Sequence, residues 1–80
     1  MGIVMRITVR LLGGLRRRAP AGRQEIEVQE GAAVGQVIEL LGLRLGEVWL
    51  VKRGDQLLDL EESLRDGDEL LLIPPVGGGY

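Results

Sequence analysis

The side chains that carry chemistry in this 80-residue chain are almost all carboxylates and guanidinium groups. Ten Lys and Arg residues stand against twelve Asp and Glu residues, and the chain has neither cysteine nor histidine. This excludes disulfides, zinc sites built on thiolate or imidazole, a cysteine nucleophile and a histidine general base. Ser63 and Thr8 also have no base to activate them. The composition therefore argues against a self-contained enzyme.

The acidic residues gather at two places that resemble sites but are better explained as turns. Asp66-Gly67-Asp68 is followed by Glu69, and Glu61 stands next to Glu62. A calcium-binding EF-hand spreads its ligands over about twelve residues, whereas Asp-Gly-Asp is first of all a tight-turn sequence. Adjacent residues of a helical turn face apart, so the two glutamates do not form an acid-base pair. We expect no metal site.

The arginines cluster in a loop, at Arg16-Arg17-Arg18 and Arg23. Such a loop can bind phosphate or an acidic partner, but in a chain of net charge −2 a solvated loop is the favoured interpretation. Gly13-Gly14 lacks the lysine and the following helix of a phosphate-binding loop. The charge balance argues against a nucleic-acid partner.

Neither a signal peptide nor a membrane span is predicted. The first residues lack a charged lead followed by an apolar stretch, and no apolar run approaches the ~20 residues that cross a bilayer. We expect a cytoplasmic protein without a membrane partner.

The hydrophobic pattern predicts one domain, residues 1–75, followed by a flexible glycine-rich tail, residues 76–80. Strict alternation over 5–11 indicates a first strand, and Ile26 and Val28 set against acids indicate a second, antiparallel to the first. A helical stripe formed by Val34, Val37, Ile38 and Leu41 ends at Gly42, its predicted C-cap. Further strands are predicted at 47–52, 56–58 and 69–73, with a helical turn at 61–64.

The order is therefore β-β-α-β-β-β, an α+β arrangement in which one helix covers one face of the sheet. Residues 48–51 and 70–73 are apolar at consecutive positions, so each strand must also place apolar residues on the uncovered face. If Val48, Leu50, Leu70 and Leu72 point inward, the outer face carries an apolar patch. Its members are then Trp49, Val51, Leu71 and Ile73.

The last seven residues are Pro74-Pro75-Val76-Gly77-Gly78-Gly79-Tyr80. Two prolines end strand pairing, and three glycines lack the side chains that would keep the segment out of a narrow channel. A frayed end is the alternative explanation.

The sequence resembles the MoaD/ThiS family of ubiquitin-like sulfur carriers, which have the β-grasp fold. The resemblance runs from residue 5 to residue 79 and is carried by MRITVRL (5–11), VGQVIELLG (34–42) and, above all, DGDELLLIPPVGGG (66–79). The Pro-Pro-Val before the glycines is more similar to MoaD, the small subunit of molybdopterin synthase, than to ThiS.

The resemblance implies a mixed sheet and a carrier whose working group is the carboxylate of Gly79. An adenylating enzyme similar to MoeB or ThiF would activate it with ATP, and sulfur would replace AMP to give a thiocarboxylate. Gly77 and Gly78 would thread into the partner. The recipient would be a synthase large subunit similar to MoaE or another sulfur acceptor, and the resemblance implies molybdopterin synthesis as the pathway. No cofactor would be bound by the carrier itself.

The apolar patch and the residues Pro74, Pro75 and Val76 are then expected to contact these partners. Tyr80 departs from the family pattern, because it converts the Gly79 carboxylate into an amide. The resemblance implies its removal by a metallopeptidase. A ubiquitin-like protein modifier, or an interaction module that does not conjugate, is the alternative function.

Overall fold

A computed structural model describes residues 2–18 and 22–75. Its elements are β1 (Val4–Leu11), a 3-10 helix (Gly13–Arg18), β2 (Arg23–Gln29), α1 (Val34–Leu40), a 3-10 turn (Leu45–Glu47), β3 (Leu50–Arg53), β4 (Gln56–Leu57) and β5 (Glu69–Ile73). The strands form one sheet in the order β2-β1-β5-β3-β4. β1 and β5 run parallel, while β1–β2, β3–β5 and β3–β4 are antiparallel. The predicted α+β class, the mixed sheet and the single main helix are confirmed.

The alternation of β1 determines which face of the sheet is covered. Met5, Ile7, Val9 and Leu11 are buried, and the residues between them lie on the opposite face. β2 pairs with β1 in the predicted antiparallel sense, with Met5 opposite Val28. Burial of these side chains removes apolar surface from water, which is the main free-energy gain of folding.

The predicted helical stripe of α1 packs on this inner face. Val34, Val37 and Ile38 are buried. The helix has no capping side chain at Ala33, but the Gln36 Oε1 accepts a hydrogen bond from the Ala33 amide at 2.8 Å, which is half of a capping box. Gly42 was predicted as the C-cap; the C-cap is Leu41, and Gly42 follows it with a φ of 77°, the left-handed conformation that commonly ends a helix.

Two local predictions were wrong because long-range contacts override local patterns. The segment after β1 is not an exposed loop throughout: it forms a 3-10 helix that buries Leu15. Residues 61–64 do not form a helical turn. Instead Ser63 makes a β-bridge with Ala33, and the Leu64 amide donates to the Ala32 carbonyl at 2.9 Å.

The predicted register of the third strand was also wrong. β3 begins at Leu50 rather than at residue 47, because Leu45–Glu47 form a 3-10 turn. Val51 lies opposite Leu72 and is only 4% exposed, so it belongs to the core and not to the outer patch. A shift of one residue moves every side chain of a strand to the other face.

Among the described residues, no helix is long and apolar enough to cross a membrane. The predicted tail, residues 76–80, lies outside these residues, so the division of the chain at residue 75 stays a prediction.

Candidate functional site

The chain enters its tail from the centre of the sheet. β5 lies between β1 and β3 and is followed by Pro74 and Pro75, which have no amide hydrogen to donate to a neighbouring strand. The predicted site residues after Pro75 lie outside the described residues: Val76 for partner contact, Gly77 and Gly78 for threading, Gly79 as the acceptor of AMP and sulfur, and Tyr80 as the residue to be removed. The candidate site is therefore the surface around the end of β5.

The end of β5 is held against the end of β1. The Leu12 amide donates to the Leu72 carbonyl at 3.2 Å, and a Cβ built on Gly13 would lie 3.1 Å from the Pro74 Cγ. Gly13 has a φ of 55°, in the left-handed region that favours glycine. This close approach positions Pro74, the first residue after β5.

An apolar patch covers the outer face of the sheet beside this exit. Leu71 and Ile73 point outward, because the alternating residues Leu70 and Leu72 are completely buried. Leu50 lies opposite Ile73 on the same face. Leu12, just after β1, is 42% exposed and lines a shallow groove together with Arg10 and Leu71. We call Leu12, Leu50, Leu71 and Ile73 the outer patch.

Two cations flank the outer patch. Arg10 on β1 and Lys52 on β3 are both cross-strand partners of Leu71, so they share its face. The Arg10 Nε lies 2.7 Å from the Glu69 Oε2, and both side chains are about half exposed. Such an exposed pair contributes little to stability, roughly 0–1 kcal/mol, so its main effect is to orient Arg10. A partner that docks here should present apolar side chains with an acidic group nearby.

Trp49 lies just before β3 and is 57% exposed. Its backbone amide donates to the Ile73 carbonyl at 2.7 Å, so it stands next to the outer patch. With Leu45, Leu57 and Leu60 it also lines a shallow groove of about 330 Å³ at the β4 edge.

Three of the four predicted patch residues therefore lie outside the core: Trp49, Leu71 and Ile73. The fourth, Val51, is buried in the core. On β3 the residue with its side chain on the outer face is Leu50, not Val51. The only signal for Leu50 in the sequence is its place in an unbroken apolar run, which does not distinguish the two faces.

The acidic turn has a structural role, as its sequence predicted. Asp66 Oδ1 accepts the Arg6 amide at 2.8 Å, and Asp68 Oδ2 accepts the Arg65 amide at 2.9 Å. Gly67 has a φ of 86°. In the part of the chain that the structure describes, no three acidic side chains come close enough together to hold a metal ion.

These features define a class: a ubiquitin-like β-grasp domain with a glycine-rich segment after its central strand. The family model of the ThiS family matches residues 9–79. The sulfur carrier protein TtuB of Thermus thermophilus is 37% identical over 57 residues, which are 71% of this chain and 86% of that protein.

Solved structures agree with this match. SAMP1, a small archaeal modifier protein from Haloferax volcanii, superposes with a TM-score of 0.74 at 27% identity, covering 92% of this chain and 99% of that one. A chain in the complex of subunits 1 and 2 of the molybdopterin-converting factor from Helicobacter pylori has a TM-score of 0.57 at 26% identity, with coverages of 94% and 100%.

The chain belongs to the ThiS family. It is a ubiquitin-like sulfur carrier, and the proteins of this family are small carriers rather than catalysts.

Proposed function

We propose that the chain carries sulfur on the carboxylate of Gly79. The observation that supports this most directly is the extent of the family match, which includes the three glycines and ends at Gly79, just before Tyr80. The position of Pro74 supports it as well, because this residue follows β5 beside the partly exposed outer patch.

The proposed chemistry takes place in two steps on the partner enzyme. A Gly79 carboxylate oxygen attacks the α-phosphorus of ATP, pyrophosphate leaves, and an acyl adenylate forms. A hydrosulfide-level nucleophile then attacks the carbonyl carbon, AMP leaves, and a thiocarboxylate remains. A carboxylate is a poor electrophile until it is activated in this way, and the partner supplies the positioning. The carrier needs neither a bound cofactor nor a catalytic base.

Tyr80 must be removed before this chemistry can begin. As encoded, the carbonyl of Gly79 is part of a peptide bond and has no free carboxylate oxygen to attack ATP. We propose hydrolysis of the Gly79–Tyr80 bond by a metallopeptidase, which leaves Gly79 with the required carboxylate. Because the subsequent activation needs ATP, the proposed compartment is the cytoplasm.

The outer patch, Trp49 and the Pro74-Pro75-Val76 segment are the proposed contacts with the partners. An adenylating enzyme of the MoeB or ThiF type would bind there first, and the enzyme that accepts the sulfur would bind afterwards. Similarity to a chain that is solved in complex with subunit 2 of a molybdopterin-converting factor supports a synthase large subunit, similar to MoaE, as the second partner. Molybdopterin is accordingly the proposed destination of the sulfur.

The decisive experiment compares the full chain with a chain that ends at Gly79, each with ATP and the activating enzyme of the same host. The shorter chain should catalyse no reaction itself but should support ATP–pyrophosphate exchange by the enzyme, and with sulfide it should gain the mass of one oxygen replaced by sulfur. The full chain should do neither. Equal exchange by both chains would refute the processing step.

A second candidate is protein modification, which the similarity to SAMP1 favours. A modifier is activated through the same acyl adenylate. Its Gly79 carbonyl is then joined to a lysine amine of another protein, and no sulfur is donated. Mass spectrometry of proteins from the host distinguishes the two, because only a modifier leaves an isopeptide-linked glycine remnant on other chains. A chain with neither a thiocarboxylate nor conjugates would be an interaction module.

A further inference from the structure

The outer side of β2 is a free sheet edge. The Leu11 amide donates to the Gly22 carbonyl and the Glu30 amide donates to the Ile3 carbonyl, at 2.9 and 2.8 Å. In an antiparallel ladder the backbone groups alternate between the two sides of a strand. The backbone groups of Gln24, Ile26 and Val28 therefore face β1.

The backbone amide and carbonyl groups of Arg23, Glu25 and Glu27 point away from the sheet. Among residues 2–18 and 22–75, no other strand pairs with this side. Such a row of unpaired donors and acceptors is a template for an additional strand.

A groove of about 420 Å³ lies at the C-terminal end of this edge, between residues 28–32 and the α1 residues Gln36, Glu39 and Leu40. Buried Val28 and Ala32 contribute its apolar side, and Leu40 on α1 stands 63% exposed at its rim. A strand added to β2 would place alternate side chains over this groove and the others on the outer face, because side chains alternate along a strand.

The charges around the edge are mostly negative. Glu30 and Glu39 line the groove, and neither has an ion-pair partner among the described residues. Glu25 and Glu27 lie on the outer face of β2 and make only exposed contacts, 3.9 Å to Arg23 and 3.5 Å to Arg6. An acidic edge repels acidic strands and favours a basic one.

We propose that the β2 edge binds an extended peptide segment of a partner protein, in which apolar and basic residues alternate, as a sixth strand of the sheet. The apolar residues of the segment lie over the groove beside Leu40, and its basic residues approach Glu25 and Glu27. Main-chain hydrogen bonds supply affinity, and the side chains supply specificity. β1 separates this edge from the outer patch, so the inference does not depend on the proposed function.

The probe is an acetylated and amidated peptide, Thr-Lys-Ile-Lys-Val-Lys-Thr, titrated into the ¹⁵N-labelled full chain. Binding should slow hydrogen exchange of the Glu25 and Glu27 amides by at least about tenfold. The Gln24, Ile26 and Val28 amides, already bonded to β1, should change little. The matched peptide with Glu at each Lys position should not bind.

Two variants test the two parts of the proposal. The double variant Glu30→Lys/Glu39→Lys should weaken binding of the basic peptide by at least about tenfold. The control Asp55→Lys/Asp59→Lys makes the same change in net charge near the opposite edge of the sheet and should not weaken binding. Glu25→Pro removes an amide that faces solvent, so β1 keeps its hydrogen bonds while the peptide loses one. Circular dichroism verifies that each variant is folded.

Several results would overturn the proposal. They are equal binding of the acidic peptide, exchange protection that does not alternate along β2, and chemical-shift changes confined to the outer patch. Dimers that form through the β2 edge without peptide, detected by analytical ultracentrifugation, would identify a second copy as the occupant instead.

Discussion

Leu50 lies directly opposite Ile73 where β3 meets β5, and both side chains belong to the outer face of the sheet. Because successive residues of a strand alternate, this single pairing also places Val51 beside Leu72 in the core. The adjacent apolar residues Leu50 and Val51 thus have different environments: Leu50 is partly exposed, whereas Val51 is buried.

The first prediction uses these neighbours as a matched pair. Val51→Glu buries an unpaired carboxylate and should cost about 3–5 kcal/mol, enough to abolish cooperative unfolding in a domain of this size. Leu50→Glu should cost about 1 kcal/mol or less. Urea unfolding followed by circular dichroism measures both, and equal destabilisation would mean that the register of β3 is different.

The second prediction concerns docking. Leu71→Glu and Trp49→Glu should fold, because both residues lie outside the core, but should weaken binding to the activating enzyme by about 2 kcal/mol or more, as expected for central apolar anchors. Val4→Glu, at an exposed position (56%) at the opposite end of β1 from Leu12, is the control and should bind normally. Isothermal titration calorimetry gives the affinities. If the control loses as much as the other two, the outer patch is not the docking surface.

The third prediction concerns the tail, in a chain that ends at Gly79. Gly78→Ala should leave the melting temperature unchanged yet strongly reduce thiocarboxylate formation, because a Cβ next to the reacting carbonyl obstructs a narrow channel. Gly77→Ala, one residue farther away, should have a slight effect. Intact-mass spectrometry quantifies the product, and identical yields from all three chains would indicate that the tail is not threaded.

The fourth prediction concerns the acidic turn. Asp68 Oδ2 lies 3.0 Å from the Arg53 Nη1 and also accepts the Arg65 amide, so one partly buried carboxylate holds two segments together. Asp68→Ala should cost about 1–2 kcal/mol, reduced from a fully buried value by solvent screening. Asp55→Ala, at an exposed turn position, should change the free energy of unfolding by less than about 0.5 kcal/mol.

The fifth prediction is a stabilising substitution. Gly35 lies in the first turn of α1, and an added Cβ would make ordinary contact with the Leu60 carbonyl oxygen at 3.5 Å. Gly35→Ala should raise the free energy of unfolding by about 0.5–1 kcal/mol. Gly42→Ala should lower it by about 1 kcal/mol or more, because an L-residue is strained at a φ of 77°. Thermal unfolding of the two variants should therefore shift in opposite directions.

The local sequence pattern was sufficient to predict the boundaries of strands that alternate strictly or that are bounded by clear turn residues. β5 spans the residues predicted, because Gly67 ends the preceding turn and Pro74 ends pairing. β1 was predicted to within one residue from its strict alternation.

The errors occur where the deciding contacts are distant in sequence. An unbroken apolar run has no period, so the face of Val51 depends on where the turn at Leu45–Glu47 ends. Leu15 is a single apolar residue among glycines and arginines, and its burial could not be inferred locally. The groove at the β2 edge arises only when α1 packs beside β2, and neither segment indicates it alone.

The central position of β5 also affects the order in which the sheet can assemble during synthesis. The hairpins β1–β2 and β3–β4 are joined into one sheet by β5, which is synthesised after them as the last of the described strands in chain order. The glycines follow that strand within a few residues. A chain whose synthesis stops before residue 69 therefore lacks both the strand that joins the two hairpins and the glycines.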